Sequence, residues 1–120
     1  MRDMRKSITH IKSKALALRI IRLYKYLVEN KKEFVLSKQI LRSGTSIGAN
    51  ICESYSAQSK ADFIAKLYIA LKEANETHYW LELLYESEFI TKDEFDSLYK
   101  DTNELIALLT TSIKTTQNKK

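Results

Sequence analysis

Arg42, Ser46, Asn50 and Glu53 recur at helical spacing, and Glu73 and Glu76 could add carboxylates from a later segment. Group transfer at such a stripe would need a nucleophile paired with a base, and the stripe holds no such pair. Its composition instead fits an ion-pair and hydrogen-bond set, Glu73 included, that fixes helix register or a subunit contact. Metal chemistry meets the same difficulty. Di-iron bundles use Glu-x-x-His on two helices. Here His78 follows Glu76 by two residues, which turns the two side chains about 200° apart on a helix. His78 and Glu82 do share a face, four apart, and read as a hydrogen-bonded couple. His10 is expected outside the bundle. Cys52 falls at the edge of an apolar face with no histidine nearby in sequence, so a buried inert thiol is expected. Gly44 and Gly48 lack the following lysine of a phosphate loop. The residues therefore predict a non-enzymatic protein with no catalytic set, no metal ligands and no cofactor.

The remaining chemistry is polyanion binding. Residues 1–43 hold twelve Lys/Arg against three acids, a balance of +9, whereas residues 44–120 hold eight against twelve, a balance of −4. Within the basic part, Lys14, Arg19, Arg22 and Lys25 share one arc of a helix with Tyr26 beside them. Four cations could contact phosphates and the ring could stack on a base. Lys12, Lys31, Lys32 and Lys38 extend the same region. RNA or DNA is the partner class this predicts. The alternative is a solubilising face on a protein–protein interaction scaffold.

Four helical segments must carry these residues, expected at about 13–30, 37–57, 60–87 and 92–114 from their apolar spacing. Ser13 and Ser37 are the N-cap candidates for the first two. Ser59 with Asp62, and Thr91 with Glu94, resemble capping boxes for the last two. In the first segment Leu16, Ala17, Ile20, Ile21, Leu23, Tyr24, Leu27 and Val28 fall on one broad apolar arc. In the second, Ile40, Leu41, Gly44, Ile47, Gly48, Ile51, Cys52 and Tyr55 share the apolar face. Each glycine costs about 1 kcal/mol against alanine in a helix interior, so both are expected where another helix backbone approaches too closely for a Cβ.

With 120 residues, no proline and two glycines, long helices with short connections are favoured over sheet, which needs more turn punctuation. Short connections make consecutive helices antiparallel neighbours. The expected fold is a single all-α domain, an up-down-up-down antiparallel four-helix bundle. No apolar run approaches membrane-spanning length, no export signal follows the basic N-terminus, and one cysteine excludes an internal disulfide. A cytoplasmic location is expected.

The stretch SGTSIGANICE at residues 43–53 resembles the 23S rRNA intervening-sequence protein family. The resemblance continues through SKADF at 59–63, LYIAL at 67–71 and ALRIIRLY at 17–24, and covers about residues 12–112. It implies a bacterial four-helix bundle with left-handed packing that assembles into a homo-oligomer, a pentamer in family members. Relatives include accessory proteins of diversity-generating reverse transcriptases, which bind nucleic acid, so a ribosomal RNA or reverse transcriptase context is implied. Ser54 departs from the family pattern, in which many members carry glycine after the glutamate.

Overall fold

The computed structural model describes residues 7–119. Among them are four helices and no strand: α1 (Ile8–Lys31), α2 (Leu36–Ser54), α3 (Lys60–Glu86) and α4 (Lys92–Gln117). They form an all-α bundle about 50 Å long. In it α1 adjoins α2 and α4, and α3 adjoins α2 and α4, while α1 and α3 do not meet. The links are too short to let a helix cross the bundle, so each helix runs antiparallel to the one before.

Local capping sets the boundaries. Thr91 and Glu94 complete a reciprocal capping box at α4, and Ser59 accepts from the Asp62 amide at α3. The first two helices begin differently from expectation. Helix α1 starts at Ile8, where Ser7 accepts from the His10 amide at 3.1 Å. Ser13 is instead buried in the helix, donating to the His10 carbonyl. The earlier start makes His10 part of the bundle, not a neighbour of it. Helix α2 has Val35 as its N-cap, without a side-chain cap. Its open amides are taken by the Glu33 carboxylate, which accepts from Val35, Leu36 and Ser37. Burial pushes the Glu33 carboxyl up, but these amide bonds outweigh it and hold the group below the usual carboxylate range. The helix ends at Ser54, three residues short of expectation, after which the chain turns through Tyr55–Ala57 with short backbone bonds.

The buried positions repeat at intervals of three and four. On α1 they are Ser13, Leu16, Ile20, Leu23 and Leu27, and on α4 Leu98, Thr102, Leu105, Leu109 and Ile113. This is the narrow seam of helices packed side by side, not the wide arc of a helix sunk in a core. Consequently part of the expected core face lies outside it. Ala17, Ile21, Tyr24 and Val28 on α1 and Leu41 on α2 are half-buried, and Cys52 is exposed. Buried hydroxyls return to their own helix, as when Thr102 donates to the Leu98 carbonyl and Ser54 to that of Ile51. These hydroxyls thus enter the core without being left unsatisfied.

Candidate nucleic-acid interface

Helix α1 carries its cations in two rows. The first row leans toward α4. Lys12 pairs with Glu104 at 2.7 Å, and Arg19 pairs with Asp101 at 2.6 Å while bonding the Ser97 hydroxyl and carbonyl. The second row is Lys14, Arg22 and Lys25, all exposed and without an ion-pair partner among the described residues. At 100° per residue these three span about 80° of the helix, with Leu18 between them. Leu18 is 48% exposed, so the row is a cationic surface with an apolar centre. Tyr26 is half-buried against the core, with Lys31 Nζ 6.0 Å above its ring. Of the five residues that sequence groups as a nucleic-acid face, the structure therefore keeps three as free cations. It ties Arg19 to α4 and turns Tyr26 inward.

The polar stripe divides in a similar way. Arg42 crosses from α2 to α3 and holds both Glu73, at 2.8 Å, and Glu76. Glu76 also accepts from Trp80 Nε1. Burial raises the Glu76 carboxyl, but the bonds from Arg42 and Trp80 and the Arg42 charge reverse that and hold it low. Glu53 reaches Lys66 on α3. Ser46 and Asn50 do not cross: each bonds a carbonyl one turn back in α2. A buried bond from Thr77 to Ser43, 2.9 Å, joins the same two helices. Nothing in sequence marks this bond, because its partners are 34 residues apart and both residue types are common in helices.

The two glycines lie where α1 presses on α2, but it is α1 side chains, not the expected backbone, that come nearest. A Cβ at Gly44 would fall 2.8 Å from Ile20 Cγ1, and one at Gly48 would fall 3.2 Å from Ser13 Oγ.

Two expectations about histidine and cysteine fail. His78 makes no hydrogen bond with Glu82. It stacks on Tyr99 with ring centroids 4.0 Å apart, and its Nε2 is buried without a partner. Burial lowers its pKa, against the raising effects of the Tyr99 carbonyl and the Glu82 charge. Cys52 is not buried, and His10 comes within 3.6 Å of its sulfur through the α1–α2 contact. Sequence separation hid this neighbour, which the earlier start of α1 supplies.

Among the described residues no three His, Cys, Asp or Glu side chains gather as metal ligands. A cleft of about 470 Å³ opens at the end of the bundle where α1 begins and α4 ends. Ile8, Phe63, Leu67 and Leu108 line it, with hydroxyls but no acid or histidine in its walls. No described helix is long and apolar enough to cross a membrane.

The sequence model described as 23S rRNA-intervening sequence protein matches residues 5–111. A solved structure from Bacteroides thetaiotaomicron VPI-5482, a protein of unknown function from the S23 ribosomal protein family, is similar at 60% identity with a TM-score of 0.89. That match covers 89% of this chain and 99% of the solved one. Among curated proteins none matches.

Proposed function

The chain belongs to the 23S rRNA-intervening sequence protein family, and from that premise we propose a non-enzymatic homo-oligomer that binds RNA or DNA through α1. The observation that carries the reading is the unequal treatment of the α1 cations. Lys12 and Arg19 are neutralised by α4, while Lys14, Arg22 and Lys25 are left facing solvent. Cations held on a rigid helix without counter-charges match the phosphate backbone of a nucleic acid. The family's name refers to 23S rRNA, and that of the solved relative to a ribosomal protein family, which supports a ribosomal RNA context. A single row of three cations binds weakly. Its repetition in a homo-oligomer, a pentamer by the family resemblance, raises avidity through effective concentration. A reverse transcriptase context would use the same surface.

The test is a gel shift with RNA and DNA across a salt series. Lys14, Arg22 and Lys25 reversed together to Glu should abolish a salt-sensitive shift with helicity unchanged. Reversal of Lys12 alone should not. Binding unaffected by the triple reversal, or absent in the wild type, overturns the nucleic-acid reading. A second reading, an oligomeric protein–protein scaffold, draws on Leu18 and Ile11, about half exposed among those cations. Recovery of a protein partner after nuclease treatment, with no gel shift, would favour it.

A further inference from the structure

Helix α1 meets α4 along the thinnest seam of the bundle, and beside the free cations that seam opens. A groove of about 280 Å³ lies there, lined by Arg19, Arg22, Leu23 and Tyr26 from α1 and by Glu94 and Leu98 from α4. Helical spacing arranges its walls. Arg22 and Tyr26, four apart, share one face of α1, as Glu94 and Leu98 share one face of α4. Leu23 and Leu98 are both buried and give the groove an apolar floor.

The polar groups around that floor are not all occupied. Arg19 is held by Asp101 and Ser97, whereas Arg22 is exposed and has no ion-pair partner among the described residues. Glu94 spends Oε1 on the Thr91 amide and hydroxyl in the capping box, and its Oε2 takes no hydrogen bond among the described residues. Lys31 Nζ lies 6.0 Å from the Tyr26 ring, a second cation that draws an anionic ligand toward that ring. One helical turn, about 6 Å of rise, thus offers a cation and an aromatic ring, with a carboxylate oxygen facing them from α4. The volume falls below the roughly 300 Å³ at which pockets for drug-sized ligands begin, so it suits one flat ring system.

We infer that this groove is a subsite for a single unpaired nucleobase, with guanine favoured. The inference rests on the nucleic-acid reading above and adds a base-reading position to its phosphate contacts. The base sits between α1 and α4 against Tyr26, Leu23 and Leu98, while Arg22 holds its phosphate. Glu94 Oε2 chooses the base. A carboxylate oxygen only accepts, so it favours a Watson–Crick edge that presents donors. Guanine presents two adjacent donors there, its ring N–H and its amine. Adenine and cytosine present an amine beside an acceptor nitrogen, and uracil or thymine an N–H between two carbonyls, which the carboxylate repels. A duplex hides these edges in base pairs, so the subsite takes a single-stranded or flipped nucleotide. Lys14 and Lys25 meet neighbouring phosphates and carry no base preference.

Fluorescence anisotropy on the full chain tests this with two labelled strands, oligouridine and the same strand with one central guanosine. The wild type should bind the guanosine strand about tenfold tighter at equal salt, within the range for one stacked base. Glu94→Gln keeps an acceptor for the cap, because Gln serves at that position of a capping box, but turns a donor toward the base. It should remove most of the guanosine advantage and leave oligouridine binding in place. Loss of the Glu94 charge alone would instead tighten both strands equally. Tyr26→Leu should weaken the guanosine strand more than oligouridine, with helicity followed by circular dichroism; should it fail to fold, Glu94→Gln decides alone. A thymidine pair repeats the comparison on DNA, and a guanine advantage on either sugar supports the subsite. Equal binding of both strands by the wild type, or an advantage that survives Glu94→Gln, overturns the subsite and leaves the phosphate contacts standing. Binding to neither strand also overturns it, and the gel shift with duplexes then judges the nucleic-acid reading separately.

Discussion

Helix α1 is held on its two sides by opposite means. Toward α2 the seam is made by missing side chains: Gly44 and Gly48 let Ile20 and Ser13 sit where a Cβ would be. Toward α4, the thinnest of the four seams, long side chains reach across, Lys12 to Glu104 and Arg19 to Asp101 and Ser97. The first kind of contact is short-ranged and steric, so at Gly44 it tolerates no added volume, and it ignores salt. The second is partly exposed, so solvent screens it and its loss is mild. The difference shows how one amphipathic helix can be anchored firmly on one side while its cations are sorted on the other.

The largest effect expected from breaking this contrast is at Gly44. Gly44→Val drives side-chain carbons into Ile20, and stability should fall by about 3 kcal/mol, the upper part of the range for overpacking. A chemical-denaturation midpoint equal to that of the wild type would show that the helices are not in close contact there. Next comes the other seam. Arg19→Met should cost about 1 kcal/mol or less, as exposed ion pairs do. The deficit should shrink as salt rises, while that of Gly44→Val should not; a salt-independent Arg19→Met would erase the distinction.

The α3–α4 seam adds a third kind of contact, sensitive to pH. His78 stacks on Tyr99 with its Nε2 buried, and burial holds its pKa below the ordinary 6.5. The folded state therefore binds this proton less readily than the unfolded chain. The contribution of His78 is complete above about pH 6.5 and is lost as pH falls through that value toward the lower folded pKa. Thermal melts at pH 7.5 and 5.5 should show a larger drop for the wild type than for His78→Phe, which keeps the stacking ring and cannot titrate. Equal drops would remove His78 as the cause. The smallest effect is expected at Gly48, where a new Cβ would meet only the Ser13 hydroxyl at 3.2 Å. The gain of about 1 kcal/mol in helix propensity roughly cancels that crowding, so Gly48→Ala should change the melting temperature little. A loss as large as that of Gly44→Val would show that the two glycines are equivalent.

What was legible in sequence followed the range of the interactions. The caps at Ser59 and Thr91 were readable because a cap and its amide lie three residues apart, although only Thr91 with Glu94 closes a reciprocal box; the Asp62 carboxylate takes the Gln58 amide instead. The start of α1 was misread because Ser13 and Ser7 are both serines before apolar residues, and only the fold decides which amides lack partners. The α2 start was missed for a related reason, since its amides are satisfied by Glu33 from outside the helix. Arg19 read as a free cation because its partner Asp101 is 82 residues away. Ile21, Tyr24, Val28 and Leu41 read as core because apolar periodicity marks a face without saying whether one seam is wide enough to cover it.

The amino-acid sequence by itself determined that this chain is helical, where its turns fall, that two glycines must meet a neighbouring helix and that its charge is segregated toward the N-terminal part. Those properties depend on backbone propensity, local caps and composition, all of which act within a few residues. Only the tertiary structure decided which cations of α1 are neutralised, which apolar residues remain outside the core, and which helices Arg42 and Thr77 tie together. Each of these depends on which helix lies beside which, and so on contacts between residues tens of positions apart.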